Sequence, residues 1–142
     1  MEATLARASK VYSSDFYLML DKSCANCDKD LSPADFVAID GAKVFCLNCF
    51  MVENNLTPKQ FSKVLKSVIG CENCGFSKSA FALQYDHINH ATKYTTKSGK
   101  KINPSDLFYS CAVAVFVAEV AKCVIRCANC HAIKTAKERG LE

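Results

Sequence analysis

The chain has 142 residues, of which 50% are apolar and 10 are cysteines, and its formal net charge is +4. This length suits one ordinary domain or two very small ones, and it excludes a large core. The sequence shows no signal peptide at its start, and its longest apolar run, residues 111–118, is too short to span a bilayer. We therefore expect no membrane partner and a reducing, cytoplasmic location.

Most of the cysteines fall into C-x2-C pairs. The pairs are Cys24/Cys27, Cys46/Cys49, Cys71/Cys74 and Cys127/Cys130. Thiols at this spacing bind zinc tightly but cross-link almost nothing when oxidised, so the pairs favour metal binding over a disulfide scaffold or thiol redox chemistry. Two Zn²⁺ ions held by these thiolates would cancel the formal charge of +4. The total charge therefore does not argue for nucleic acid by itself.

An asparagine precedes the second cysteine of every pair. These residues are Asn26, Asn48, Asn73 and Asn129. A zinc-binding turn is tight, and one of its residues often adopts the left-handed conformation, which asparagine tolerates. We expect these asparagines to occupy that position.

The first predicted elements belong to a zinc-finger unit over residues 1–56. An apolar patch at residues 16–20, with Ser14 as a cap, predicts a leading helix in the first 23 residues. Residues 36–39 and 42–45 flank Asp40-Gly41, which is a strong signal for a two-residue hairpin turn. A short helix through Phe50 and Met51 is expected to follow.

A linking helix is predicted over residues 57–70. Thr57 is the N-cap, Pro58 takes the first position, Gln60 completes a capping box and Gly70 ends the helix. Its apolar stripe is expected to be Phe61, Val64, Leu65 and Val68. A rod of about 16 Å makes it awkward for the flanking cysteine pairs to share an ion. We therefore assign the first pair to the second and the third to the fourth, while Cys123 stays open as a substitute ligand.

The remaining unit covers residues 71–142. A strand over residues 81–85 leads into Asp86 and His87, and a polar, basic loop follows at residues 93–101. A helix is predicted from Asn103 and Pro104 to Val120, and a short basic helix over residues 131–138.

Asp86, His87 and His131 are the candidate catalytic residues. A carboxylate and an imidazole can hold one divalent ion and leave positions open for phosphate and water. His87, with an ordinary pKa of about 6.5, is suited to accept a proton from that water. Asp86 and His87 would face opposite sides of a continuous strand, so both reach one ion only if the strand ends there. His90 is a reserve candidate, and the alternative is that the histidines only pack or lie on the surface.

Residues 119–131, Cys71-x2-Cys74-Gly75 and residues 83–88 together resemble the zinc-hooked branch of the HNH endonuclease family, over about residues 71–138. The resemblance implies an α+β fold with a ββα-metal domain that hydrolyses DNA phosphodiester bonds, by nicking or double-strand cutting. It implies Asp86 and His131 as ligands of a catalytic Mg²⁺, Mn²⁺ or other transition-metal ion, and His87 as general base. Lys122 replaces the central asparagine of the family, which ties the loop between strand and helix. The first unit weakly resembles a treble-clef or LIM-type finger.

The expected partner is DNA, with two structural Zn²⁺ ions, one catalytic divalent cation and no small-molecule cofactor. The basic residues expected near DNA are Lys93, Lys97, Lys100, Lys101, Lys122, Arg126, Lys134 and Lys137. The alternative function is an inactive two-zinc module that binds nucleic acid or protein. The sequence gives no prediction of the oligomeric state.

Overall fold

The structure is a computed structural model, and it describes residues 4–8, 23–41, 43–95, 97–101, 104 and 113–141. The first unit contains a three-stranded antiparallel sheet in the order β1, β2, β3, followed by a short helix. Its elements are β1 (Thr4–Arg7), β2 (Phe36–Asp40), β3 (Lys43–Cys46) and α1 (Leu47–Glu53).

Two details of this sheet differ from the sequence prediction. The prediction of a leading helix is wrong over residues 4–7, because these residues form β1, which pairs with the edge of β2 and buries Leu5. The rest of that helix, including residues 14–20, lies outside the described residues. The hairpin turn comes one residue later than expected, since Asp40 is still paired with Lys43. Gly41 takes a φ of 61° there, which a glycine adopts without strain.

The linking helix, α2 (Pro58–Ile69), forms where it was predicted. The capping box at Thr57 and Gln60 is complete, and Gly70 ends the helix with a φ of 70°. The predicted apolar stripe is only half right. Phe61 and Leu65 are fully buried, but Val64 and Val68 are 39% and 52% exposed. Ser62 takes the third buried position instead, where its hydroxyl lies 2.7 Å from that of Tyr85.

The second unit begins with a 3₁₀ turn at Ala80–Ala82 and contains a two-stranded antiparallel sheet. Its elements are β4 (Leu83–His87), a 3₁₀ turn (His90–Thr92), α3 (Val113–Ala121), β5 (Cys123–Cys127) and α4 (Ala128–Glu138). The predicted helix from Asn103 is described only from Val113 onward. None of the described helices is long and apolar enough to cross a membrane.

One apolar core joins the three predicted segments 1–56, 57–70 and 71–142. It contains side chains from both sheets and from all of the larger helices except α4, among them Leu5, Phe36, Met51, Phe61, Leu83, Phe116 and Ile125. Arg7 also links the two units through hydrogen bonds of its side chain. It donates to Ala34 of the first unit and to the carbonyls of Ala121 and Cys123 of the second, and its guanidinium lies 4.2 Å from the Phe36 ring centre.

Candidate metal centres and the Asp86–His131 site

Two four-cysteine clusters can each hold a metal ion. They are Cys24/Cys27/Cys46/Cys49 and Cys71/Cys74/Cys127/Cys130, and the sulfur atoms of each lie within 4.8 Å of one another. The sulfur atoms of Cys27 and Cys46 are 3.8 Å apart, and those of Cys74 and Cys127 are 3.7 Å apart. Tetrahedral Zn–S bonds of about 2.3 Å require sulfur atoms about 3.8 Å apart, so both clusters fit zinc. The predicted pairing is confirmed.

The remaining described cysteine, Cys123, belongs to neither cluster. Its sulfur lies 3.5 Å from the Glu119 carbonyl, and burial raises the pKa of its thiol to about 12. It is therefore a buried neutral thiol rather than a substitute ligand.

The two clusters are built by the same backbone hydrogen bonds. Cys24 receives the N–H of Asp28 on its carbonyl at 2.9 Å, and Cys71 receives that of Gly75 at 2.8 Å. Asp28 and Gly75, with φ of 61° and 79°, hold the left-handed position that was predicted for asparagine. The prediction was wrong for all four asparagines. In the first and third pairs the turn closes two residues later, on the residue after the second cysteine, and Asn48 and Asn129 lie in α1 and α4. Asn26 instead donates from Nδ2 to the sulfur of Cys49.

Backbone donors also stabilise the first thiolate of each cluster. Burial by itself raises the pKa of Cys24, but N–H groups of Cys46, Cys27 and Asn26 outweigh it and lower the pKa to about 6. Cys71 shows the same balance, with its pKa lowered to about 6. Both sulfurs are therefore prepared as thiolates, which is the state that binds metal.

The backbone hydrogen bonds of the two units also match on the hairpin that follows each zinc-binding turn. The residue after the first cysteine, Ala25 or Glu72, donates to Val44 or Ile125 on the second hairpin strand, at 2.9 Å in both units. Leu83 pairs with Cys127 as Val37 pairs with Cys46.

This correspondence places Asp40 of the first unit where Asp86 lies in the second. Phe50, the residue after Cys49, takes the place of His131, the residue after Cys130. The first unit therefore repeats the backbone arrangement of the second but has no imidazole where His131 lies.

The structure brings Asp86 and His131 together. Nε2 of His131 lies 3.6 Å from Oδ1 of Asp86, whose side chain is 1% exposed. Alternation along β4 directs the side chains of Gln84 and Asp86 to the same face, where α4 carries His131. The two atoms can be bridged by one divalent ion with bonds of about 2.1 Å.

Gln84 fixes the imidazole of His131. Its Oε1 atom lies 2.6 Å from Nδ1 of His131. An amide oxygen only accepts hydrogen bonds, so Nδ1 carries the proton and the neutral ring presents a lone pair at Nε2. That lone pair and a carboxylate oxygen face each other at 3.6 Å. A cation between them, or a second proton on the ring, satisfies both, and the donor set therefore fits a divalent ion.

The second oxygen of Asp86 is already paired. Nε of Arg126 lies 2.9 Å and Nζ of Lys134 lies 2.6 Å from Oδ2. Burial alone would raise the pKa of Asp86, but Lys134, His131 and Arg126 outweigh it and hold the pKa below its ordinary value. Two of the cations predicted to contact DNA therefore also neutralise this carboxylate.

His87 is not part of this arrangement, and the prediction that it joins Asp86 and His131 is corrected. The strand continues through His87, which pairs with Cys123, so its side chain leaves on the opposite face from Asp86. The side chain is 1% exposed, and its Nε2 lies 2.8 Å from Oε1 of Glu119. A general base must contact the attacking water, which this burial prevents.

Glu119 is the centre of a buried polar cluster. Its carboxylate also accepts from the Tyr94 N–H at 2.9 Å and from Nζ of Lys122 at 3.0 Å. Burial alone raises the pKa of Glu119, but His87, Tyr94 and Lys122 outweigh it and lower the pKa. Lys122 also donates to the Thr92 carbonyl at 2.9 Å. Through these contacts Lys122 joins α3 to the 3₁₀ turn after β4.

The other basic residues predicted near DNA lie at the surface. Lys97, Lys100, Lys101 and Lys137 are exposed, and Lys93 is half-buried. His90, the reserve candidate, is also exposed, in the 3₁₀ turn after β4.

The residues that sequence reasoning missed are Gln84, Glu119 and Arg7. Gln84 could have been found because it precedes Asp86 by two residues on a strand. Glu119 interrupts an apolar run, which signals a buried partner.

No family model, curated protein or solved structure matches this chain. What the structure defines is a mixed α+β protein with two four-cysteine clusters that can hold two structural metal ions. Outside those clusters, no group of three or more metal-ligating side chains occurs among the described residues.

Proposed function

We propose that this protein is a metal-dependent DNA endonuclease of the HNH type, with two structural zinc ions and one catalytic divalent ion between Asp86 and His131. The observation that carries the proposal is the 3.6 Å approach of Nε2 of His131 to Oδ1 of Asp86. These residues are 45 positions apart and meet because β4 pairs with β5, and α4 follows β5 directly, with Cys127 and Cys130 of the second cluster at their junction. A purely structural unit needs no such pair, as Phe50 at the equivalent place in the first unit illustrates.

The residues around this pair suit phosphodiester hydrolysis. A bound divalent ion would make a water molecule more acidic and would neutralise charge on the phosphate. Asp86 and His131 hold the ion, and Gln84 keeps the ring nitrogen of His131 oriented. Arg126 and Lys134 lie beside the carboxylate, where their positive charges can face phosphate oxygens as negative charge develops.

His87 has a positioning role in this proposal. Its buried contact with Glu119 joins the end of β4 to α3 and, through Tyr94, to the following loop. Asp86 is the neighbouring residue on that strand, so the contact keeps the carboxylate in register with His131. No proton transfer is assigned to His87.

A second candidate is a two-zinc nucleic-acid-binding module without catalysis. Two observations favour it. Oδ2 of Asp86 is neutralised by Arg126 and Lys134, and His87, which was expected to act as general base, is buried. In this reading the cations of α4 and β5 contact DNA phosphates, and Asp86 only positions them.

The deciding experiment is a nicking assay on supercoiled plasmid and branched DNA with Mg²⁺ or Mn²⁺. Asp86→Asn and His131→Ala should each lower the cleavage rate at least about 100-fold while zinc content is kept. Asp40→Asn is the matched control, because Asp40 occupies the equivalent place in the first unit and is exposed. If the native chain binds DNA but cuts neither substrate with either ion, the binding module is the correct reading.

A further inference from the structure

Phe81 is an aromatic side chain that the fold leaves in solvent. It lies in the 3₁₀ turn Ala80–Ala82, between the second zinc-binding turn and β4, and it is 89% exposed. The inward positions that follow are taken by Leu83, which is buried, and by Tyr85, which contacts Ser62. The ring of Phe81 therefore contributes little to the core described above, and an exposed ring of this size is available to a ligand.

A stripe of lysines on α2 lies beside this ring. Lys59, Lys63 and Lys66 are spaced by four and three residues, so they share one side of the helix. Nζ of Lys63 lies 5.3 Å from the Phe81 ring centre. The three lysines, Ser62, Ala80, Phe81 and Leu83 line a groove of about 220 Å³. A flat apolar ring thus stands at the edge of a basic groove.

The segment of sequence that forms this groove carries mostly positive charge. From residue 56 to residue 85 the sequence contains four lysines and a single acid, Glu72. That acid pairs with Arg7 at 3.4 Å. The stripe therefore suits a polyanion, and it extends about 10 Å along the helix axis, which matches about three nucleotides of a stacked strand.

The aromatic ring decides which polyanion fits best. In a duplex the faces of the bases are stacked on one another, so an exposed ring gains little from contact with duplex phosphates. In a single strand each base offers a free face, and an aromatic side chain beside basic residues is the usual platform for it. An acidic peptide would use the lysines but has no comparable partner for Phe81.

We propose that the Phe81–α2 surface, formed by Lys59, Lys63, Lys66 and Phe81, binds an unpaired stretch of DNA, with one base stacked on Phe81. The proposal rests on the proposed function for its ligand class, since it takes DNA as the partner. Alternation along β4 directs Leu83 and Tyr85 to the side of α2, and Gln84 and Asp86 to the side of α4. The surface is thus separate from the Asp86–His131 pair, and a DNA with both paired and unpaired segments can contact both.

The test measures fluorescence anisotropy of a labelled oligonucleotide of about 15 nucleotides, single-stranded and as a duplex, without divalent ions so that no cleavage occurs. Phe81→Ala should weaken single-strand binding about tenfold and leave duplex binding within about twofold. Phe81→Tyr should bind the single strand as tightly as the native chain does, because this variant keeps the aromatic ring. Val52→Ala, which changes another highly exposed apolar residue, is the matched control and should change neither.

The lysines give a second readout. Lys59→Gln with Lys63→Gln should reduce the salt dependence of single-strand binding by about one to two units of slope. Asp40→Asn, which changes an exposed residue of the first unit, should bind the single strand as the native chain does, and a chain that never cuts DNA can still pass this test because no divalent ion is present. Equal single-strand affinity for Phe81→Ala and the native chain would overturn the proposal. Displacement of the oligonucleotide by polyglutamate at equal charge concentration would also overturn it, in favour of an acidic protein partner.

Discussion

Nδ1 of His131 donates to the side-chain oxygen of Gln84 at 2.6 Å, and this single contact determines which nitrogen of the ring faces Asp86. Gln84 and Asp86 belong to the same face of β4, so one strand both supplies a candidate ligand and orients the other. Residues of this supporting kind commonly affect metal affinity almost as strongly as the ligands themselves.

Gln84→Ala should weaken the apparent Mn²⁺ affinity in the cleavage reaction by about 10-fold to 100-fold, because the ring of His131 loses its fixed orientation. The measurement is the cleavage rate as a function of Mn²⁺ concentration. Gln84→Glu should keep the affinity, since a carboxylate also accepts from Nδ1. An unchanged Mn²⁺ dependence in the alanine variant would show that Gln84 does not orient a ligand.

Binding of the divalent ion should depend on DNA. Arg126 and Lys134 already neutralise the carboxylate of Asp86 and leave it little negative charge with which to attract a free cation. A phosphate group reverses that balance. We expect calorimetry to detect Mn²⁺ binding at this site at least about tenfold more tightly when a non-cleavable phosphorothioate duplex is present. Lys134→Met should reduce the difference, whereas equally tight binding with and without DNA would contradict this charge argument.

The four-cysteine clusters should each hold one zinc ion independently of Cys123. Metal analysis should find about two zinc ions in the native chain and about one in Cys127→Ser, which should also be less stable because Cys127 is part of the shared core. Cys123→Ala is the control. Cys123 is buried but lies in neither cluster, so this variant should keep both ions at a moderate cost in stability. Loss of one zinc ion from Cys123→Ala would mean that the ligand assignment is wrong.

Glu119→Gln should destabilise the fold by about 3 kcal/mol near neutral pH, because three donors lose their charged acceptor inside the core. The pKa of Glu119 is lowered by folding, so its contribution is complete above the ordinary value of 4.5 and is lost as the pH falls through the folded-state value. The difference in unfolding free energy between the native chain and the variant should therefore narrow as the pH falls below about 4.5.

Urea unfolding at several pH values measures this difference, with zinc content followed at each pH because the cysteine clusters also release metal in acid. Lys122→Met offers a milder comparison, since it removes one donor and leaves the carboxylate bonded to His87 and Tyr94. A difference that stays constant with pH would show that Glu119 is not ionised in the folded protein.

The parts of the fold that sequence predicted well are those that short stretches of chain determine. The cap at Thr57, the end at Gly70 and the cysteine spacing all act within a few residues, and all are found in the structure. The pairing of the clusters was also accessible, because α2 is a rigid spacer. Strand β1 could not be predicted, because its backbone pairing is with β2, about 30 residues away in sequence.

The candidate site was predicted in part for the same reason. The sequence placed Asp86 on a strand end and His131 after a cysteine pair, and the structure brings the two side chains together as expected. It could not show that Arg126 and Lys134 would meet the same carboxylate, since those contacts depend on the register of β5 and the rotation of α4. The predicted role of His87 depended on where β4 ends. The end of a strand is set by its pairing, here with β5, rather than by local residues.

The repetition of backbone hydrogen bonds in the two cysteine clusters indicates where such a protein can change without unfolding. Metal ligands and turn carbonyls fix the base of each hairpin, while the opposite end is free to vary. In the first unit it is a tight turn at Gly41, and in the second it is the whole excursion of residues 88–122, which contains α3. The two units thus differ at the far tip and the outer face of the same backbone arrangement, and loop grafting at that tip is the natural route for redesigning this protein.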